Sequence, residues 1–272
     1  MSTTEGLSHD DGAVPASAAR MYDYYLGGSH YLPVDEELAE RVVQLLPQTP
    51  MIMRANRAFL RRAVRMCAAS GIRQFLDLGA GIPTQGPVHE VARAVRPDAR
   101  VVYVDNDDAA VRQSRELLQG VPFSAAIHGD LRDADAVLSD ADVVSLIDFD
   151  EPVALLFLSV LQFIPDSDDP FGVVEAYRDA LAPGSHLVIS HATDEGIGGH
   201  AGRITDIYAQ SENPIRYRRS ADVLRFFGDF HLCEPGLVHI PRWRPEGTGE
   251  EREHVGQVLG AAGVGIKLGA TV

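Results

Sequence analysis

Two cysteines, Cys67 and Cys233, are all that 272 residues contain. They cannot supply a disulfide framework or a four-ligand zinc site. Lysine is scarcer still: Lys267 stands alone, and the remaining basic charge is arginine, a bias read as high-GC coding rather than function. Long apolar runs are missing. The longest, residues 153–160, falls well short of the ~20 residues that span a bilayer. The N-terminus has neither a basic start nor an apolar core, so no secretory signal and a cytoplasmic location are expected. Positive charge is in deficit, 24 Lys and Arg against 39 Asp and Glu, for a net −15. That field repels phosphate backbones and disfavours nucleic acid as a partner. The histidines show no H-E-x-x-H or similar spacing, so no metal site is expected. No G-x-S-x-G elbow, internal repeat or long low-complexity tract occurs.

What is present is ordinary globular composition, 45% hydrophobic and 23% charged. Residues 1–16 read as a disordered tail, 17–71 as an N-terminal helical cap and 72–272 as an α/β domain. In the cap, Gly27 and Gly28 should end a Tyr-rich helix. Residues 34–46 form a second helix. A third starts with Thr49 as N-cap and Pro50 at N1, and stops before Gly71. Its apolar face carries Ile52, Phe59 and Val64; the opposite face carries Arg54, Arg57, Arg61, Arg62 and Arg65.

From residue 73 strands and helices alternate. Strands are expected at 74–78, 100–104, 124–128, 153–158 and 186–190. Helices are expected at 88–95, 107–118, 133–147 and from Pro170. Such alternation means βαβ units and a doubly wound, mostly parallel sheet. Later, a helix is expected at 221–227 behind Ser220. Apolar runs 236–240 and 264–268 read as a terminal hairpin on the sheet edge.

The chemistry concentrates at three strand ends. Asp77-Leu78-Gly79-Ala80-Gly81 closes the first strand, where glycines let a ligand approach backbone N–H groups. The dinucleotide fingerprint would need glycine at position 84, and Thr84 stands there. Asp105 ends the second strand, where an acid can accept from ribose hydroxyls; Asn106 and Asp107 follow it, and helix capping is the competing role. Gly129-Asp130-Leu131 follows the third strand, where Asp130 could accept from an adenine amino group while Leu131 covers the ring. Three acids at three consecutive strand ends point into one crevice.

These elements resemble the glycine loop and nucleoside-binding acids of class I S-adenosylmethionine-dependent methyltransferases. LSVLQFIP (158–165) resembles the stretch after that class's fourth strand, and LAPGS (181–185) the turn before its fifth. MYDYYLGG (21–28), RANRAFLRRAV (54–64), FLDLGAGIPTQGPVHEVA (75–92), VVYVDND (101–107) and PRWRP (241–245) resemble more closely one S-adenosyl methyltransferase family of high-GC bacteria, formerly catalogued as a domain of unknown function. The resemblance implies a seven-stranded Rossmann-like sheet with a reversed last strand, S-adenosylmethionine as cofactor and methyl transfer to an unidentified small molecule. It names no acceptor.

Other candidates rest on position. Tyr22 and Tyr25 share a helical face and could cover a sulfonium, or simply pack the cap. Asn56 and Arg57 could reach a cofactor carboxylate. Gln162 and Phe163, after the fourth strand, could line the acceptor pocket. His191, after the fifth, is the candidate general base. A nicotinamide-dependent oxidoreductase and a non-catalytic nucleoside-binding protein are the alternative readings. Oligomeric state is not legible.

Overall fold

The computed structural model describes residues 14–246 and 259–269. The expected tail falls mostly on residues 1–13, outside them. Ala16, placed within that expected tail, is buried.

Five parallel strands form the centre: β1 (Gln74–Leu78), β2 (Arg100–Asp105), β3 (Ser124–His128), β4 (Val153–Leu158) and β5 (His186–His191). Each reads as a near-continuous apolar run because both faces are covered. A further strand, β8 (Ala261–Ile266), pairs antiparallel with β5. On its far side lie two short pieces, β6 (His231–Leu232) and β7 (Val238–His239), both antiparallel to β8. The order is β3-β2-β1-β4-β5-β8-β6. The reversed last strand is therefore present. The expected terminal hairpin is a correction in detail: β8 inserts between β5 and a divided edge, which makes eight strands instead of seven.

Alternate strand residues feed two cores. Phe75, Tyr103, Leu156 and Val188 face one, with Phe59, Leu60 and Val64 from the long helix before β1. Leu76, Val102, Leu155 and Ile189 face the other, with Val174, Tyr177 and Phe226. The helices behind them are α1 (Ala18–Tyr25), α2 (Pro33–Leu45), α3 (Thr49–Ala69), α4 (Val88–Arg93) and α5 (Asp108–Leu117), then α6 (Ala134–Leu138), α7 (Ala141–Leu146), α8 (Pro170–Asp179), α9 (Ala201–Tyr208) and α10 (Ser220–Arg225).

Three local expectations change. The helix expected over 133–147 is two, because Asp140 caps α7 by accepting from Asp142 N and Val143 N. Thr49 is not the N-cap of α3; Gln48 takes that place, and the Thr49 hydroxyl donates to Leu46 O at 2.7 Å. Arg62 does not lie on a solvated face. It is buried, donating to Trp243 O and Ile240 O, and so binds the PRWRP segment to α3.

Ion pairs and hydrogen bonds tie the N-terminal helices to one another and to the start of α5. Arg20 Nε donates to Asp35 Oδ2 at 2.7 Å, with Asp35 fully buried. Asp35 also accepts from Ser17 N and Leu32 N. Ser17 Oγ donates to Asp107 Oδ2 at 2.6 Å, and Arg20 Nη1 lies 3.5 Å from the same oxygen. Breaking a buried pair from one side strands the other charge. Asp35→Ala is therefore expected to lower unfolding stability by about 3–5 kcal/mol in urea titration; an unchanged midpoint would contradict this role.

Candidate functional site

At the end of β1 the chain turns sharply. Gly79 N and Ala80 N donate to Val104 O of β2, at 2.8 and 3.1 Å. Gly79 has φ +69°, and a Cβ there would stand 2.1 Å from Val160 Cγ2, so only glycine fits. Gly81, at φ +59°, donates its N–H to Asp105 Oδ2 at 2.7 Å. Asp105 Oδ1 accepts from Asp107 N at 2.9 Å, and Asp107 in turn caps α5. Burial pushes the Asp105 carboxyl upward, and the amides of Asp107 and Gly81 oppose that shift. Thr84, where the dinucleotide fingerprint would have glycine, donates its hydroxyl to Asp23 Oδ1 at 3.1 Å. The loop is thus fastened to α1.

The structure brings the candidate cofactor residues to one place. Asp77, Gly79, Ala80, Gly81, Asp105, Asn106, Asp130, Leu131 and Tyr22 all line a single cavity of about 400 Å³. Asp77 is 4% exposed, and no hydrogen bond among the described residues reaches its carboxylate. Burial pushes it up to about 7, with Arg57 opposing and Asp105 reinforcing the shift. Asp130 differs: the Arg132 guanidinium grips both its oxygens and holds its carboxyl below the usual range. Arg132 also pairs with Asp168 at 2.7 Å.

Tyr22 reaches the cavity from α1. Its hydroxyl accepts from Asn56 Nδ2 at 3.0 Å, and Asn56 Oδ1 accepts from Ser190 Oγ at 2.6 Å. Tyr25 does not line the cavity; its hydroxyl lies 3.4 Å from that of Tyr208. Arg57 faces the cavity too, its guanidinium donating to Gln85 O and Gly86 O.

His191 is a correction. It does not line the cavity and is fully buried. Its Nδ1–H donates to Ala192 O at 2.7 Å, which leaves Nε2 to accept from Arg218 Nη1 at 3.0 Å. Burial, with the Arg218 charge assisting, pushes its pKa down to about 3. Both nitrogens are used and a proton is disfavoured, so His191 is a strut and not a base. Arg218 escaped the sequence reading, since an arginine in a loop carries no local sign of burial. Of the Ser17–Asp107 link only Asp107 was read, as a residue that caps the following helix.

The sequence profile of the S-adenosyl methyltransferase family matches residues 7–268. The chain belongs to that family. Among solved structures, a provisionally assigned methyltransferase from Thermobifida fusca YX is 38% identical, with TM-score 0.89, over 95% of this chain and 97% of that one. A DUF574 family protein from Streptomyces avermitilis MA-4680 is 36% identical, with TM-score 0.89, over 93% and 98%. The plantazolicin methyltransferase BamL, solved with a triazolic desmethylPZN analogue and SAH, shares the fold at 10% identity and TM-score 0.53, over 92% and 95%. Among the curated proteins, none matches this chain. The family is that of S-adenosylmethionine-dependent methyltransferases, and the nicotinamide alternative falls with that membership.

The site residues fit such a cofactor. A buried carboxylate that no hydrogen bond reaches suits a cationic ligand group, and the glycine turn lines the same cavity, although its N–H groups are taken by Val104 O and Asp105. Asp77 also sets a pH dependence. The folded carboxyl keeps its proton up to about 7, whereas an unfolded Asp releases it near ~3.9. The folded chain therefore binds more protons between those values, and this group's contribution to stability falls as pH rises through that window. Asp77→Asn is expected to flatten the fall in urea-unfolding stability between about pH 4 and 7. A slope identical to that of the parent chain would show that Asp77 ionises normally.

Proposed function

We propose that this chain transfers a methyl group from S-adenosylmethionine to a small-molecule acceptor, with the adenosyl group seated at the ends of β1, β2 and β3. The observation that carries this reading is the convergence of Asp77, Asp105 and Asp130 on one cavity from three adjacent strands. When bound, the sulfonium supplies a methyl carbon already activated for displacement.

The chain's own residues then have separable tasks. Asp105 accepts from the ribose hydroxyls while its backbone contacts hold the glycine turn. Asn106 lies beside it on the cavity wall. Asp77 offers its unpaired carboxylate to the ammonium group. Leu131 covers the adenine ring and Asp130 accepts from its amino group. Arg132 already occupies Asp130, so this is the contact for which the free chain must rearrange. Tyr22, held by Asn56, presents a ring toward the positive sulfur, an attraction worth roughly 0.5–2 kcal/mol.

No proton-transfer role falls to His191. Holding the acceptor in line and excluding water remain as the protein's contributions, and positioning of this kind supplies roughly 7–11 kcal/mol. The net charge of −15 weighs against DNA or RNA as the acceptor.

Asp105→Ala is expected to weaken S-adenosylhomocysteine binding by about 1–3 kcal/mol in calorimetric titration, as when a buried charged acceptor is lost. Binding equal to that of the parent chain would refute the ribose assignment.

A further inference from the structure

Ser159 follows β4 in a conformation that serines seldom adopt. Its φ is +54°, in the left-handed region where glycine is at ease and other residues are strained. Its N–H donates to Ser190 O at 3.0 Å, one step beyond the strand. The next residue, Val160, stands against Gly79, where a Cβ would lie 2.1 Å from Val160 Cγ2. Ser159 therefore sits beside the glycine turn, on the side of β1 away from β2 and β3. It is half-buried and lines the cavity. Gln162 and Thr193 line that wall too, but Gln162 Oε1 and Thr193 Oγ1 are sealed inside it. Strain kept at a cavity wall points to a task for the side chain.

One chain of hydrogen bonds sets the polarity of the Ser159 hydroxyl. Met53 O can only accept, so the Tyr22 hydroxyl, 3.3 Å away, spends its proton there. The Tyr22 oxygen then accepts from Asn56 Nδ2 at 3.0 Å, which turns Asn56 Oδ1 toward Ser190. Ser190 Oγ donates to that oxygen at 2.6 Å and so spends its single proton. Ser190 is fully buried and Asn56 is 3% exposed. Ser159 Oγ lies 3.4 Å from Ser190 Oγ, and no other hydrogen bond among the described residues reaches it. The proton in that contact comes from Ser159. Its lone pairs are left for the cavity.

Resting on the methyl-transfer reading above, we propose that Ser159 receives the methyl acceptor: its oxygen takes a hydrogen bond from the acceptor's nucleophilic atom, which therefore carries a hydrogen, as a hydroxyl or a neutral amine does. In the transfer that atom's lone pair forms the bond to the methyl carbon, and the carbon–sulfur pair stays with the sulfur, which becomes neutral. The acceptor's proton leaves to water, because Ser159 cannot pass it along a chain that ends at a carbonyl. The same chain carries Tyr22, so Asn56 registers the ring offered to the sulfur with the hydroxyl offered to the acceptor.

The test uses the full chain and two variants, Ser159→Gly and Ser190→Ala. Glycine accepts the backbone conformation, so Ser159→Gly is expected to keep or raise the unfolding midpoint; a marked fall would make the hydroxyl structural and overturn the proposal. With S-adenosylhomocysteine saturating, NMR titration compares phenol and aniline, which carry the hydrogen, with anisole, which lacks it. Ser159→Gly should weaken phenol or aniline relative to anisole by about five- to ten-fold, the worth of one hydrogen bond, and leave S-adenosylhomocysteine affinity unchanged. The arm that loses more tells whether oxygen or nitrogen is the acceptor atom. Ser190→Ala releases the Ser159 proton toward the cavity and should narrow the same ratio by strengthening anisole, which a structural role would not do. Where Ser190→Ala fails to fold, Ser159→Gly decides alone. A ratio unchanged in Ser159→Gly, or no binding of any probe to the parent chain, would overturn the proposal. Failure of S-adenosylhomocysteine to bind the parent chain would instead overturn the cofactor reading, so the two failures are distinct.

Discussion

Asp105 is the residue on which the geometry of the site turns. One carboxylate oxygen accepts from Gly81 and the other from Asp107. The first bond fixes the turn after β1; the second fixes the start of α5. Asp107 then takes Ser17, and Ser17 and Arg20 meet at Asp35. A single run of hydrogen bonds and ion pairs thus extends from the end of the central strand to the N-terminal cap. Each member satisfies a buried donor or acceptor of the next, and a gap anywhere would leave a neighbour unpaired. The cap is therefore part of the site: it delivers Tyr22 to the cavity and is registered to the glycine turn through Thr84 and Asp23.

The central strands were legible in the sequence because parallel strands covered on both faces must be continuously apolar. Gln74–Leu78 and Val153–Leu158 stand in the structure where the residues placed them. The acids at strand ends were legible for a related reason: burying a carboxylate beside a glycine turn is unfavourable without a task. What escaped were contacts set by tertiary packing. Arg62 looked like one of five arginines on the face opposite the apolar one, yet it is buried against Trp243 O. His191 looked like a rim histidine, yet Arg218, distant in sequence, closes over it. The edge strand broke into β6 and β7 where only one run was readable, since two-residue strands leave no period to detect.

The cavity wall differs from one side of β1 to the other. On the side of β1, β2 and β3 the polar groups are charged and numerous, and most are engaged by the chain itself. On the side of β4 and β5 the lining mixes apolar and aromatic side chains with Ser159, Gln162, Thr193, Glu212 and Asn213. His191, at the end of β5, is bound into the frame behind the wall through Arg218 and Ala192 O.

The most direct test of the central claim is a crystal structure of the full chain grown with S-adenosylhomocysteine in excess. The account predicts nucleoside density in the crevice, ribose hydroxyls within hydrogen-bond distance of Asp105 and the adenine ring against Leu131. A nucleoside bound elsewhere on the molecule, or a crevice that stays empty at saturating ligand, would contradict it.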